Sequence, residues 1–312
     1  ASDVYKRQAW KAKEYPALSF LDEDVSAREL IVSLAEDILA EFEHLTLIDK
    51  YDVYQVLLAY WNEVMNDDVS LIISEPDGYA NARATDNIEE EITQGKNKGE
   101  MKVTGWEGRL IPKSILIDAF FRDEKNAIEE AENVVAETES LLSDLVESAD
   151  EEAALADVAE NGKVKTKDLE AKIEELTQHV ETEETIELEL LMDQLPMQKK
   201  RLQAYLEGHP LCESALTEKG TVTKSSIMLR LLIIRTVESV PESLQNDVNQ
   251  LRQALDLCSK VSDYNKVIKD LNKALDEKCR ARYDCLTDDE ILDLLVNKKW
   301  FDTIFSGIAD LY

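Results

Sequence analysis

Basic residues are scarce in this chain: 35 Lys and Arg stand against 66 Asp and Glu, a net charge of −31 over 312 residues. A field of that sign repels phosphate over most of the surface, which argues against direct DNA binding by the chain alone. Cysteine is limited to Cys212, Cys258, Cys279 and Cys285, none of them in a Cys-x-x-Cys pair, so zinc and dithiol motifs lack support. The six prolines are never adjacent, and none of the nine glycines forms a Gly-x-Gly turn after a strand-like run. No apolar stretch approaches the roughly 20 residues of a membrane span. The longest, Ile227–Ile234, is interrupted by Arg230. No secretory pattern opens the chain, so a reducing cytoplasm and no membrane partner are expected.

What is present is a 44% hydrophobic content, enough for one large or two modest cores. Ser26-Ala27-Arg28-Glu29 reads as a capping box, followed at helical spacing by Leu30, Ile31, Leu34, Ile38 and Phe42, which predicts a helix to about Leu45. In Tyr51–Ile72, Asp49 is placed to cap a second helix. Val53, Val56, Leu57, Tyr60, Trp61 and Val64 share one face of it, which must be buried. Asn66-Asp67-Asp68 is expected to end that helix, and Val69–Ile73, short and apolar, to form a buried strand before Pro76-Asp77-Gly78. Residues 74–100 read as an exposed loop, Met101–Val103 as a short strand, and Pro112 as the first turn of another helix.

Composition then shifts. From Glu124 to Asp193 there are 23 acidic and 5 basic residues. Ile128, Val135, Leu142 and Ala149 fall seven apart with Ala131, Thr138 and Leu145 between them, and after Asn161-Gly162 the seam resumes at Leu169, Ile173, Leu176 and Val180. That pattern predicts an antiparallel helical hairpin with arms of about 40–50 Å. The remainder is helical, with a stripe from Leu244 to Leu275 and a capping box at Thr287-Asp288-Asp289-Glu290. The expected fold is therefore mainly α: a helical bundle with a long coiled-coil-like antiparallel hairpin and a small α+β segment near the N-terminus. The boundaries expected are 1–8, 9–122, 123–195 and 196–312.

Few spacings suggest chemistry, and each has a plainer explanation. Glu41 and His44 have the Glu-x-x-His spacing of di-iron bundles, but such a site needs a second copy and two more glutamates, and no second copy exists. Glu175 and Glu183 lie four residues either side of His179, which describes a screened surface pair more readily than a metal site. Asp67-Asp68 suggests paired acid and base; at a helix-to-strand junction the pair more simply caps and turns the chain. The basic run Lys96, Lys98 and Lys102 is the best local place for a phosphate contact, although such runs are usually only solvated.

Tyr51–Asp68, YDVYQVLLAYWNEVMNDD, with the apolar run after it resembles a segment near the end of the modification subunit of type I restriction-modification systems, an adenine-specific DNA methyltransferase. Further pieces follow in the family's order: Gly105-Trp106, Leu110-Ile111-Pro112-Lys113, Ile115–Ile117, Phe120-Phe121, Tyr283, Leu286–Ile291 and Lys299-Trp300. The likeness runs from about Ser26 to the C-terminus. It implies a parent enzyme that uses S-adenosylmethionine and holds a flipped adenine over an Asn-Pro-Pro-Tyr or Asn-Pro-Pro-Phe turn. This chain has no Pro-Pro pair, so no catalytic or cofactor-binding residue transfers to it by position, and no metal ligand is assigned.

The resemblance implies an assembly role instead. The partners would be the specificity and restriction subunits, with DNA engaged through the complex, and Trp106 and Trp300 as aromatic anchors and Lys299 as a rim charge at the subunit interface. A tryptophan at such spacing is also what a core uses. Ser2–Gln8, SDVYKRQ, resembles translated sequencing-adapter read-through, so residues 1–8 are expected to be extraneous and the chain a C-terminal fragment. The competing reading is a self-contained acidic helical protein that binds a basic partner or mimics DNA charge.

Overall fold

The computed structural model describes residues 2–43 and 48–311. The chain is mainly α, with 14 α-helices among the described residues and a single two-stranded sheet. It divides into two compact units. One combines Ala1–Ile128 with Asp270–Tyr312, and the other is Glu129–Lys269, inserted between those segments. The division thus falls differently from the expected boundaries, and residues 196–312 belong partly to each unit. No helix among the described residues is long and apolar enough to cross a membrane.

The first unit opens with α1 (Ser2–Leu18), which takes in the residues expected to be an extraneous leader; Trp10 on it is buried. In α2 (Ala27–Glu41), Ser26 caps the start by accepting from the Glu29 amide, and Leu30, Leu34 and Ile38 are buried at the expected spacing. His44 lies outside the described residues, so the Glu41–His44 spacing has no structural reading. Asp49 caps α3 (Lys50–Tyr60) by accepting from the Tyr51 amide at 2.9 Å, and Val53 and Leu57 are buried on its inner face.

Beyond Tyr60 the expectation fails. The helix does not stop at Asn66-Asp67-Asp68. A π-helical turn at Trp61–Met65 carries it directly into α4 (Asn66–Ile73). Val69–Ile73 is helical, with Asp68, Val69 and Ile72 buried together as neighbours on one helix face. The β-branched composition that suggested a strand is overridden by burial on a continuing helix, since local propensity is worth less than packing.

A 3₁₀ segment, Gly78–Arg83, leads into a hairpin of β1 (Thr85–Glu91) and β2 (Met101–Gly108), antiparallel with a bulge between Ile88 and Glu89. Nearly half of the expected loop is therefore in regular structure, and the short strand at Met101 is longer than read. TDNIEEE carries almost no alternation that would have shown β1. From Asp86 to Glu91 the strand is exposed on both faces. Pro112 then precedes α5 (Lys113–Phe120), where the Glu107 carboxylate accepts from the Lys113 amide.

Helix α6 (Arg122–Glu147) leads into the inserted unit. No second long arm of an antiparallel hairpin follows. After α6 come the short α7 (Ala154–Val158), a break at Asn161 and Gly162, both with positive φ, and the short α8 (Thr166–Thr177). The long helix that shares a core with the α6 seam comes from far along the chain. Leu142, Leu145, Val146 and Ala149 pack in one cluster with Leu155, Leu169 and Ile173, and with Leu251, Ala254, Leu255 and Cys258. The expected partners Leu169, Ile173 and Leu176 do lie in this cluster; the contribution of residues 251–258 leaves no mark in the spacing.

A second cluster in this unit joins α9 (Glu183–Asp193), α10 (Lys199–Gly208) and α11 (Lys224–Ile233) through Leu188, Leu191, Leu202, Leu206, Ile227 and Leu231. Helix α12 (Gln245–Asp284), 40 residues and about 60 Å long, returns the chain to the first unit. There the expected capping box forms: Thr287 and Glu290 exchange side-chain and backbone bonds at the start of α13 (Asp288–Leu292). A π-helical stretch, Asp293–Phe301, continues into α14 (Asp302–Ala309), and Phe301 and Phe305 pack against Trp10.

Where α1 meets α2, Glu14 is buried next to Asp37, which also receives Lys13 Nζ at 2.7 Å. Burial, then the shared hydrogen bond with Asp37, pushes the Glu14 carboxyl up to about 8, while that bond and Lys13 hold Asp37 low. Between the ordinary glutamate range and about 8, the folded chain keeps a proton that the unfolded chain has lost. Glu14 thus contributes stability that is complete below that window and lost as pH rises through it. Glu14→Gln, neutral at every pH, should raise the urea midpoint at about pH 9, leave it little changed at about pH 5, and flatten the slope between. Parallel pH profiles for the two proteins would refute this account.

Candidate functional site

The motif residues carrying the family resemblance are spread over more than two hundred positions, and the fold gathers them in the first unit. Asp68 on α4 is at the centre, 7% exposed. Its Oδ2 accepts from Lys299 Nζ at 2.6 Å and from Trp300 Nε1 at 2.9 Å. Lys299 Nζ also donates to the Leu110 carbonyl at 2.6 Å, and the Tyr60 hydroxyl donates to the Lys299 carbonyl at 2.8 Å. Burial, then the nearby Asp68 charge, pushes the Tyr60 phenol up. The buried ammonium therefore has both a counter-charge and a neutral acceptor, as a charge withdrawn from water requires.

A second set adjoins it in sequence. Trp106 Nε1 donates to Asp276 Oδ2 at 2.7 Å, and Lys113 Nζ donates to the other oxygen of that carboxylate at 2.9 Å. Lys113 and Arg280 both stand over the Trp106 ring, at 4.1 Å and 4.6 Å from its centroid. Burial acts to raise the Asp276 carboxyl, but the bonds from Lys113 and Trp106 outweigh it and hold it below the usual range. Tyr283 packs edge-on to Trp106 and donates to the Ile111 carbonyl at 2.6 Å. The Leu110-Ile111-Pro112-Lys113 run is thus held at Leu110 by Lys299, at Ile111 by Tyr283 and at Lys113 by Asp276.

The three residues expected at a partner interface are all part of this packing. Trp300 is fully buried, Trp106 nearly so, and Lys299 is 8% exposed. Lys299 is therefore not a rim charge: its ammonium is spent on Asp68 and Leu110. Asp68 in turn is neither a helix end nor a turn residue, because the helix runs through it. Sequence reasoning also missed Asp276 and Arg280 and gave Lys113 only as part of a motif, since spacing along the chain gives no sign that one indole collects them.

The basic run has a different setting. Lys96 and Lys98 are exposed at the hairpin tip between Gly95 and Gly99, and exposed Lys102 pairs in register with Glu90. Glu89, Glu90, Glu91 and Glu100 share that hairpin, so the three lysines do not make a positive surface. His179 and Glu175 are exposed, and α8 ends at Thr177, so Glu175, His179 and Glu183 do not share a helix face. No group of three or more His, Cys, Asp or Glu among the described residues could hold a metal ion.

A shallow hollow of about 220 Å³ near this region is lined by Ile115, Asp118, Ala119, Arg122, Lys298 and Asp302. Its charges are largely paired, Asp118 with Lys125 and Lys298 with Asp302. Strand β2 ends on Gly108, yet the space beside that glycine is filled by the Ile111 carbonyl and the Tyr283 hydroxyl. The end of β2 therefore does not fit S-adenosylmethionine, and no chemical step is assigned to this chain. What the arrangement provides is a rigid frame tying the two ends of the first unit together. Comparison with family models, with curated proteins and with solved structures finds no match.

Proposed function

We propose that this chain is the C-terminal assembly region of a type I restriction-modification methyltransferase subunit, with the methyl-transfer chemistry carried by sequence upstream of it. The observation that supports the reading is convergence. Tyr60, Asp68, Trp106, Leu110, Ile111, Lys113, Tyr283, Lys299 and Trp300 come from five motifs of the resemblance, and each bonds or packs against another of the set or against Asp276. Motifs that recur in order without chemistry of their own are explained if they build one frame. The frame's buried tryptophans then support an interface from beneath, and the contacts with the specificity and restriction subunits fall on exposed residues of the same unit. DNA is engaged only through the assembled complex, in keeping with the charge of −31.

Two measurements test this. The genomic reading frame extended upstream should carry an Asn-Pro-Pro-Tyr or Asn-Pro-Pro-Phe motif and cofactor-binding strands; a start codon just before residue 9 would overturn the proposal. Co-expression with a cognate specificity subunit should retain the chain in a complex, and its appearance in the flow-through as a separate folded species would count against the assembly role.

A further inference from the structure

Helix α11 and the π-helical turn that continues it, Ile234–Glu238, form a 15-residue rod about 22 Å long. Its inner side is accounted for: Ile227, Leu231 and Ile234 are buried in the cluster with Leu188, Leu191 and Leu202. Its outer side is not polar. Met228, Leu229, Leu232, Ile233 and Val237 are between 36% and 62% exposed. A helix that is apolar all round is ordinarily covered all round. These five side chains present on the order of 500 Å² of apolar surface, at the upper end of the largest patch found on a typical monomer.

We infer that this face pairs with the same face of a second copy of the chain, α11 lying antiparallel to its symmetry mate. Two features favour a second copy over another occupant. The first is area: a standard interface buries about 800 Å² per partner, so the apolar stripe provides its centre and the flanking polar residues its remainder. The second is charge placement. At the N-terminal end of the rod stands exposed Lys224. Arg230, midway along the rod, is shared between Glu184 and Glu238, and Arg235 pairs with Glu189, so the half ending at Glu238 carries one negative charge in excess. Lys224 and Glu238 lie equally far from the rod's midpoint, so an antiparallel two-fold pairing sets each Lys224 beside the other copy's acidic end. A parallel pairing would set like charges together.

None of these residues belongs to the motifs of the resemblance, so the inference does not depend on the assembly role proposed above. It also has a characteristic salt response. Two chains of charge −31 repel one another at long range. Screening that repulsion should favour association, whereas an acidic chain gripping a basic foreign helix would be weakened by salt.

Light scattering on the full chain after size exclusion tests this, at about 100 µM, a hundredfold above a micromolar Kd. The expected mass is twice 35.4 kDa, with a dimer fraction that rises between low and moderate salt. Leu229→Glu with Leu232→Glu should weaken the dimer at least about a hundredfold with an unchanged far-ultraviolet helical signal, as expected when charges enter an apolar interface centre. Lys224→Glu should weaken it about tenfold, and Glu238→Lys in the same chain should restore it, the scale of two symmetry-related rim like-charge contacts relieved. A single-chain mass at both salt concentrations overturns the inference. So does a dimer that the Leu229/Leu232 variant leaves intact.

Discussion

Asp68→Ala is expected to be among the most damaging single substitutions in this protein. It leaves the Lys299 ammonium, 8% exposed, with only the Leu110 carbonyl for company, and strips the Trp300 indole of its acceptor. Removing one partner of a buried ion pair costs about 3–5 kcal/mol, because the remaining charge has lost its water and its counter-ion together. For a unit of this size that is a fall in Tm of about 10 °C or more. Intrinsic fluorescence is the appropriate probe: all four tryptophans, Trp10, Trp61, Trp106 and Trp300, lie in the first unit, so the signal follows that unit alone. Far-ultraviolet dichroism follows both units. If Asp68→Ala shifts the two signals equally, the units unfold together; a dichroism curve that splits into a shifted and an unshifted step, with fluorescence following only the shifted one, means that they unfold independently. The pair itself is isolated by a double change. Asp68→Leu with Lys299→Met removes both charges and should be far milder than Asp68→Ala, and a double variant as unstable as the sum of the singles would show that the ion pair is not the source of the effect.

Why Asp68 escaped a reading from sequence is instructive. Ser26, Asp49 and Thr287 were legible as helix starts because a cap is a local bargain between a side chain and an amide two or three residues away. The buried face of α3 was legible for the same reason: Val53 and Leu57 repeat within one helix. Asp68 depends on Lys299, 231 positions away, and nothing near either residue marks the pairing. Without that partner, Asn-Asp-Asp after a helix reads as a stop, and the apolar run behind it becomes a strand by default. The acidic module failed in the same way. Its heptad seam is a true property of α6 and does meet Leu169, Ile173 and Leu176, but spacing gives no sign that a helix from a hundred residues further on completes the same cluster. Lys299 and Trp300 show the limit of motif reading. The resemblance was carried by their identities, and their expected exposure came from a role imagined for them; the fold uses them as interior ties.

Gly108→Ala should be comparably severe, and for a reason no contact of a native side chain reveals. Gly108 ends β2 where the chain turns toward Leu110 and Ile111. A methyl group there would overlap the Ile111 carbonyl oxygen and the Tyr283 hydroxyl, the two atoms joined by the 2.6 Å hydrogen bond between them. Neither has a free rotamer to yield with, since one is backbone and the other belongs to a fully buried ring packed on Trp106. Overpacking of this kind costs about 1–3 kcal/mol, and the broken bond adds about 1 more. Displacing Ile111 also pulls on Leu110, so the damage reaches Lys299 through its bond to that carbonyl. Two companions separate the contributions. Gly105→Ala, on the same strand, meets only the Ile88 Cδ1 atom at 3.9 Å, so there the added methyl should change little. Tyr283→Phe removes the hydrogen bond without the collision and should cost about 1 kcal/mol. If denaturant midpoints place Gly108→Ala no lower than Tyr283→Phe, the turn is looser than drawn and the frame linking β2 to the C-terminal helices is held elsewhere. If Gly108→Ala falls well below both companions, the close approach at Gly108 is what joins the Leu110–Lys113 run to α12, and a single methyl group is enough to part them.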